Sequence, residues 1–152
     1  GFVILAVYDF RWFLLPNKIV FPLVGLAVSQ VLIQLFFFDA AWRHVFGAAL
    51  GVTLISGTFY MLFTVSKGKW IGFGDVKLGI VVGILAGGPL PPLLLLFVAS
   101  VLGMLFSLRL VLAGEASRKS YVPFGPFLLA GMVIVQLFGT DIIHWYRHLV
   151  LV

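Results

Sequence analysis

Gly72-Phe73-Gly74-Asp75-Val76-Lys77-Leu78-Gly79-Ile80-Val81-Val82-Gly83-Ile84-Leu85-Ala86-Gly87-Gly88 runs from a carboxylate straight into an apolar stretch, in a chain of 152 residues with five Asp and Glu in all. A carboxylate at the edge of hydrocarbon is expensive, so it marks a functional position by default. Asp9 is a second such acid, beside another apolar stretch and seven residues before Pro16 in Leu15-Pro16-Asn17. Two acids of this kind suit aspartyl proteolysis, in which like charges held close cannot both ionise and share one proton.

Composition sets the environment. Hydrophobic residues make up 62% of the chain and charged residues 10%, whereas a soluble domain carries roughly a quarter charged residues. The chain therefore reads as an integral membrane protein and an all-α, polytopic helical bundle. Sixteen Phe and seventeen Gly fit helices that pack through small residues and meet lipid with large ones. The apolar runs are continuous rather than alternating, which argues against a β-barrel. With no Cys, disulfides, thiolate zinc sites and cysteine nucleophiles are excluded. The net charge of +5 is carried between apolar spans, which fits membrane orientation and contact with lipid, not nucleic acid.

Runs of roughly 20 apolar residues predict six transmembrane helices within a single membrane-embedded domain over 1–152: residues 1–10, 19–38, 42–65, 76–88, 89–112 and 123–139. The first run is too short to cross a bilayer by itself and begins at Gly1, so the expectation is that upstream sequence precedes it. No basic segment or small-residue cleavage site there reads as a signal peptide.

Charge placement tests this topology. If the loop of Arg11 and Lys18 is cytoplasmic, alternation puts Lys67, Lys69, Lys77, Arg118 and Lys119 on the same side. The other side keeps Arg43 and Arg147, beside Asp39, Asp141 and the histidines. That is a strong positive-inside bias, and it brings Asp9 and Asp75 to one, cytoplasmic, membrane edge.

Gly72 and Gly74 are expected to allow positive φ and close backbone approach, turning the chain into the fourth helix with Asp75 in its first turn. There the helix dipole and free backbone donors favour a carboxylate. Pro16 fixes φ and starts the second span. Taken singly, each acid has a plainer reading: Asp75 as an N-cap, Asp9 as an interfacial charge beside Arg11.

Asp9 with Leu15-Pro16-Asn17, then Gly72-Phe73-Gly74-Asp75-Val76-Lys77-Leu78, then Val122-Pro123-Phe124-Gly125-Pro126-Phe127 together resemble the type IV prepilin peptidase family of GxGD intramembrane aspartyl proteases. The three matches and the spans between them cover essentially the whole chain. The resemblance implies that Asp9 and Asp75 are the catalytic acids and that the Pro123, Gly125 and Pro126 segment lies near them. It also implies a bacterial inner-membrane enzyme of type IV pilus assembly and protein secretion. The substrate would be a prepilin or pseudopilin, cut after a glycine at the cytoplasmic face to release its basic leader. Many members carry an amino-terminal domain with paired CxxC motifs and methylate the new terminus with S-adenosylmethionine. This chain shows neither that domain nor any Cys, so the resemblance carries proteolysis, which needs no cofactor, further than methylation.

Other residues invite weaker readings. Lys77 either biases the acid pair or meets substrate, or serves as a positive-inside anchor. His144 and His148 have metal-compatible spacing but no acid on their face, and read as interfacial anchors with Trp145 and Tyr146; no metal is expected. Gly47 and Gly51, and Gly79, Gly83 and Gly87, read as helix-packing seams. Glu115 reads as a loop charge that can meet the leader. Two other classes stay open: a small proton- or cation-coupled transporter or channel subunit using the two Asp as a relay, and a scaffold subunit whose acids only cap helices.

Overall fold

In hydrocarbon a backbone must satisfy its own N–H and C=O groups, which a helix does within one segment. In the computed structural model, which describes residues 2–12, 15–37, 41–114 and 123–150, the described residues form helices and no strand. The order is α1 (Phe2–Trp12), α2 (Asn17–Phe37), α3 (Ala41–Val52), a π-helical segment (Thr53–Gly57), α4 (Thr58–Ser66), α5 (Phe73–Ala86), α6 (Leu90–Leu112) and α7 (Gly125–Val150). Because α3, the π segment and α4 follow one another without a break, the described residues form six rods, as the apolar runs predict. The last rod differs: it continues to Val150 instead of ending at 139, because Asp141, His144, Arg147 and His148 interrupt the apolar run without breaking the helix.

Four rods are long and apolar enough to cross a membrane: Asn17–Phe37, Trp42–Ser66, Leu90–Leu112 and Gly125–Leu149. Large apolar side chains such as Phe21, Leu26, Phe36, Phe97 and Leu137 stand exposed on them, as an integral membrane protein requires. The short rods are α1, of 11 residues, and α5, of 14. At ~1.5 Å per residue α5 spans about 21 Å, less than the hydrocarbon core, and it is enclosed by protein instead. It packs against α2, α3, the π segment, α4, α6 and α7, while α1 lies on α7.

Small residues make that enclosure possible. A Cβ on Gly51 would overlap the Gly83 carbonyl oxygen, one on Gly83 would come 2.7 Å from the Val52 backbone, and one on Gly79 3.0 Å from Ser56 Cα. The α3–π rod and α5 therefore touch backbone to backbone, and Gly47 meets Gly88 in the same way. Close approach through small residues is how helices associate where lipid removes the hydrophobic drive. Ser56 Oγ donates to the Val76 carbonyl over 2.9 Å inside this seam. Gly87 is not part of it: at φ 56° it ends α5, with open space where a Cβ would stand.

Candidate active site

The acids are set by the ends of two short helices. The Pro16 carbonyl accepts from Ile19 and Val20 (2.9 and 3.2 Å) to open α2. Asp9 lies one turn before the end of α1, 6% exposed. On the other arm Gly72 is the N-cap of α5 in an extended conformation (φ −75°, ψ 149°) and Asp75 falls in the first turn, 9% exposed. Positive φ is thus not what this motif needs from its glycines. Gly74 is helical, and its hydrogen is needed because a Cβ there would meet Leu15 Cδ1 at 2.9 Å. The GxGD turn and the Leu15-Pro16-Asn17 turn are locked together by that contact.

Asp75 is more than a cap. The N-cap position belongs to Gly72, whose backbone N–H donates to the Asp75 carboxylate, the return half of a capping box. One oxygen is left over: Asp75 Oδ1 is buried with no hydrogen-bond partner, and so is Asp9 Oδ2. Asp9 also receives the Gly125 backbone N–H, the free first donor of α7, where the helix dipole favours negative charge.

Both leftover oxygens point to one place. A Cβ built on Gly125 would overlap Asp9 Oδ2 and stand 3.4 Å from Asp75 Oδ1. Gly125 is buried, and only a residue without a side chain fits between the two carboxyl groups. Phe124, just before it, packs edge-to-face on Phe59 of α4 (centroids 5.6 Å apart), which holds this segment against the bundle. Pro126 is the second residue of α7, where its missing N–H is not needed. Pro123 precedes the helix, half-buried. The three sequence segments quoted above therefore meet at one end of the bundle.

Lys77 does not join them. Its Nζ donates to Asn17 Oδ1 over 2.8 Å and lies 5.0 Å from the centre of the Phe73 ring. It ties the start of α5 to the start of α2 beside the acids. Two contributors were not legible in advance. Leu15 gives Gly74 its purpose, and Ser56 anchors the first turns of α5 through Val76; only the pairing across the fold reveals them. The side chain of Arg11, and Asp39, Glu115, Arg118, Lys119 and Val122, lie outside the described residues.

Lys18, Lys67, Lys69, Lys77 and Arg109 fall at the end of the bundle that holds the acids, and Arg43 and Arg147 at the opposite end, with His44, His144 and His148. The ends sort the charges as the alternation of spans predicts. Among the described residues no group of three His, Asp or Glu side chains is placed to hold a metal ion.

Comparison with known proteins identifies the family. The family model of the type IV leader peptidase family matches residues 1–108. The chain is 32% identical over 146 residues to the prepilin leader peptidase/N-methyltransferase of Bacillus subtilis (strain 168), covering 95% of this chain and 55% of that protein. Proteins of the same name from Aeromonas salmonicida (strain A449) and Pseudomonas aeruginosa are 32% and 29% identical over 152 and 146 residues, with 98% and 96% of this chain and 50% and 49% of theirs covered. The chain thus spans about half the length of these curated relatives. No solved structure matches it. Two buried acids brought together by the GxGD turn, and a family match that runs through both of them, lead to one assignment: the chain belongs to the type IV leader peptidase family.

Proposed function

We propose that the chain is an intramembrane aspartyl endopeptidase that removes the basic leader of type IV prepilins or pseudopilins, with Asp9 and Asp75 as its catalytic acids. One observation carries this reading: Asp9 Oδ2 and Asp75 Oδ1, both buried and without partners, converge at Gly125. Unpaired buried carboxylate oxygens are costly, and their persistence points to a ligand or a reaction. A water molecule and a peptide carbonyl satisfy such a pair.

The chemistry needs only the two acids. The ionised one takes a proton from water as the water oxygen bonds to the scissile carbonyl carbon, and the protonated one gives its proton to the carbonyl oxygen. When the tetrahedral intermediate collapses, the C–N bond breaks. A proton passes to the departing nitrogen, leaving a new carboxyl and a new amino terminus. Gly125 fits the same geometry from the protein side, bringing backbone up to both acids with no side chain between them. A crowded site of this kind favours a small residue, glycine, just before the cut.

The basic end of the bundle supports a cytoplasmic site at the inner membrane, since positive loops stay inside. Lys77, bonded to Asn17, acts in this reading as a brace and an anchor. A proton or cation relay is less well supported, because relay acids are spread through membrane depth and these two share one end. The names of the relatives include an N-methyltransferase activity, whose methyl donor would be S-adenosylmethionine. An acid on a ribose diol is the usual anchor for an adenosyl group. Beyond the catalytic pair the described residues offer only the exposed Asp141 at the far end, so the described residues do not fit that cofactor.

Incubating the purified protein in proteoliposomes with a precursor that carries a Lys/Arg leader ahead of a Gly and an apolar helix tests the proposal. One cut after the Gly is expected by mass spectrometry. Intact precursor, with proton flux across the same vesicles, would replace it with the relay. The membrane face is tested in the Cys-free background by Trp70→Cys and Trp145→Cys, both at exposed positions. In oriented vesicles the first is expected to react from the cytoplasmic side and the second from the other.

A further inference from the structure

At the end of the bundle opposite the acids, a cavity of about 310 Å³ opens between α2, the first turns of α3 and the end of α5, lined by Gln30, Gln34, Arg43 and His44. Gln30 and Gln34 lie one turn apart in the second half of a membrane-spanning helix, where an amide facing hydrocarbon without a partner is costly. Here they share a polar space with a guanidinium and an imidazole. The α5 carbonyl of Leu85 at its edge is engaged by Gln136 Nε2 over 3.3 Å, so this acceptor is already satisfied from α7.

A second groove, of about 380 Å³, shares Arg43, Gly47 and Gly88 with the first and is otherwise apolar, formed with Trp42, Phe46 and Leu50. These three residues recur every fourth position, so they make one stripe along α3 from its first turn toward mid-bundle. A polar chamber at the membrane edge thus joins, across Arg43, an apolar channel directed into the hydrocarbon. Such a shape matches an amphiphile with an anionic head and a long chain.

We infer that the two grooves together bind one glycerophospholipid. Its phosphodiester meets Arg43, a planar donor suited to bidentate phosphate contact, with His44, Gln30 and Gln34 completing the donors. One acyl chain lies along Trp42, Phe46 and Leu50. The first turn of α3 adds favourable dipole at the phosphate. A free phosphodiester shares the head chemistry but leaves the apolar groove empty.

The test is native mass spectrometry of the delipidated protein in detergent, titrated with dioleoylphosphatidylglycerol. One retained lipid per chain is expected. Arg43→Gln should weaken retention about tenfold, the loss of charge-assisted hydrogen bonds, and Gln34→Leu several-fold. Arg147→Gln, at the same end but outside both grooves, should leave retention unchanged. Neither Arg43 nor Gln34 belongs to the buried core, and unchanged unfolding temperatures confirm that each variant is folded. Equal retention by wild type and both groove variants would overturn the inference, as would an Arg147→Gln loss matching that of Arg43→Gln. Displacement of the lipid by an equal concentration of soluble glycerophosphoglycerol would also overturn it, reducing the site to a phosphodiester pocket.

Discussion

α5 and α6 follow one another in the chain, and both are apolar along almost their whole length, yet they meet opposite surroundings. Of the 23 residues of α6 only Pro92, Leu95 and Ala99 are buried, whereas seven of the 14 in α5 are. The apolar side chains of α6 mostly face lipid; those of α5 face protein. Glycine makes the difference. Gly79 and Gly83 let α5 lie against the Ser56 and Val52 backbones, so a helix too short to span is enclosed by protein and holds its carboxylate buried at one end of the bundle. In this membrane protein hydrophobicity marks the wall and glycine spacing marks the element that holds the chemistry.

The contrast breaks first at the seam. Gly83→Ala places a carbon 2.7 Å from the Val52 backbone, and because backbone cannot rotate away, a loss of ~1–3 kcal/mol or more is expected. Gly25→Ala on α2, where nothing stands within 4 Å, should hold or raise stability, since Ala is the better helix former by ~1 kcal/mol. Thermal unfolding in detergent compares the two. Equal unfolding temperatures would mean that α5 is not clamped by its glycines.

A subtler break leaves the fold and removes the reaction. Gly125→Ala puts a methyl between the two carboxyl groups, and a displacement of about 1 Å at a reacting centre is worth ~100-fold in rate. Precursor cleavage should fall by roughly that factor while the variant still folds, because the atoms displaced are the end of the Asp9 side chain and not backbone. Normal cleavage by the variant would place the reacting atoms elsewhere than Gly125.

The smallest effect concerns the hydroxyl inside the seam. Ser56→Ala removes the 2.9 Å bond to the Val76 carbonyl and should lower stability by about 1 kcal/mol, with cleavage close to the parent's. A loss of activity larger than the loss of stability would make Ser56 a positioning residue for Asp75.

Much of this architecture was legible in the sequence, and the illegible parts share a cause. Runs of apolar residues located all six rods, because lipid imposes length and composition on the four long ones and a protein interior asks for apolar residues in the enclosed α5. Asp9 and Asp75 stood out because carboxylates are rare in such a chain. Details that depend on contacts between rods were hidden. Gly74 was expected to allow positive φ and close approach; it is helical and serves the second alone, against Leu15. The Gly125 segment was placed near the acids by resemblance, but its position between them follows from α1 packing on α7. The π segment at Thr53–Gly57 has no pattern of its own in the sequence, and the length of α7 was hidden by polar residues that end an apolar run without ending a helix.

Asp9 and Asp75 are proposed to act as one pair, and the most direct test is leader cleavage by Asp9→Asn, Asp75→Asn and the double variant, each purified and folded. Each single variant is expected to abolish cleavage while substrate binding and thermal stability persist, because replacing a buried unpaired carboxylate removes a desolvation penalty. The double variant should be no worse than either single one, as residues that act as a unit are not additive. Near-normal cleavage by either folded single variant would contradict the account, because that acid could then not be half of the pair.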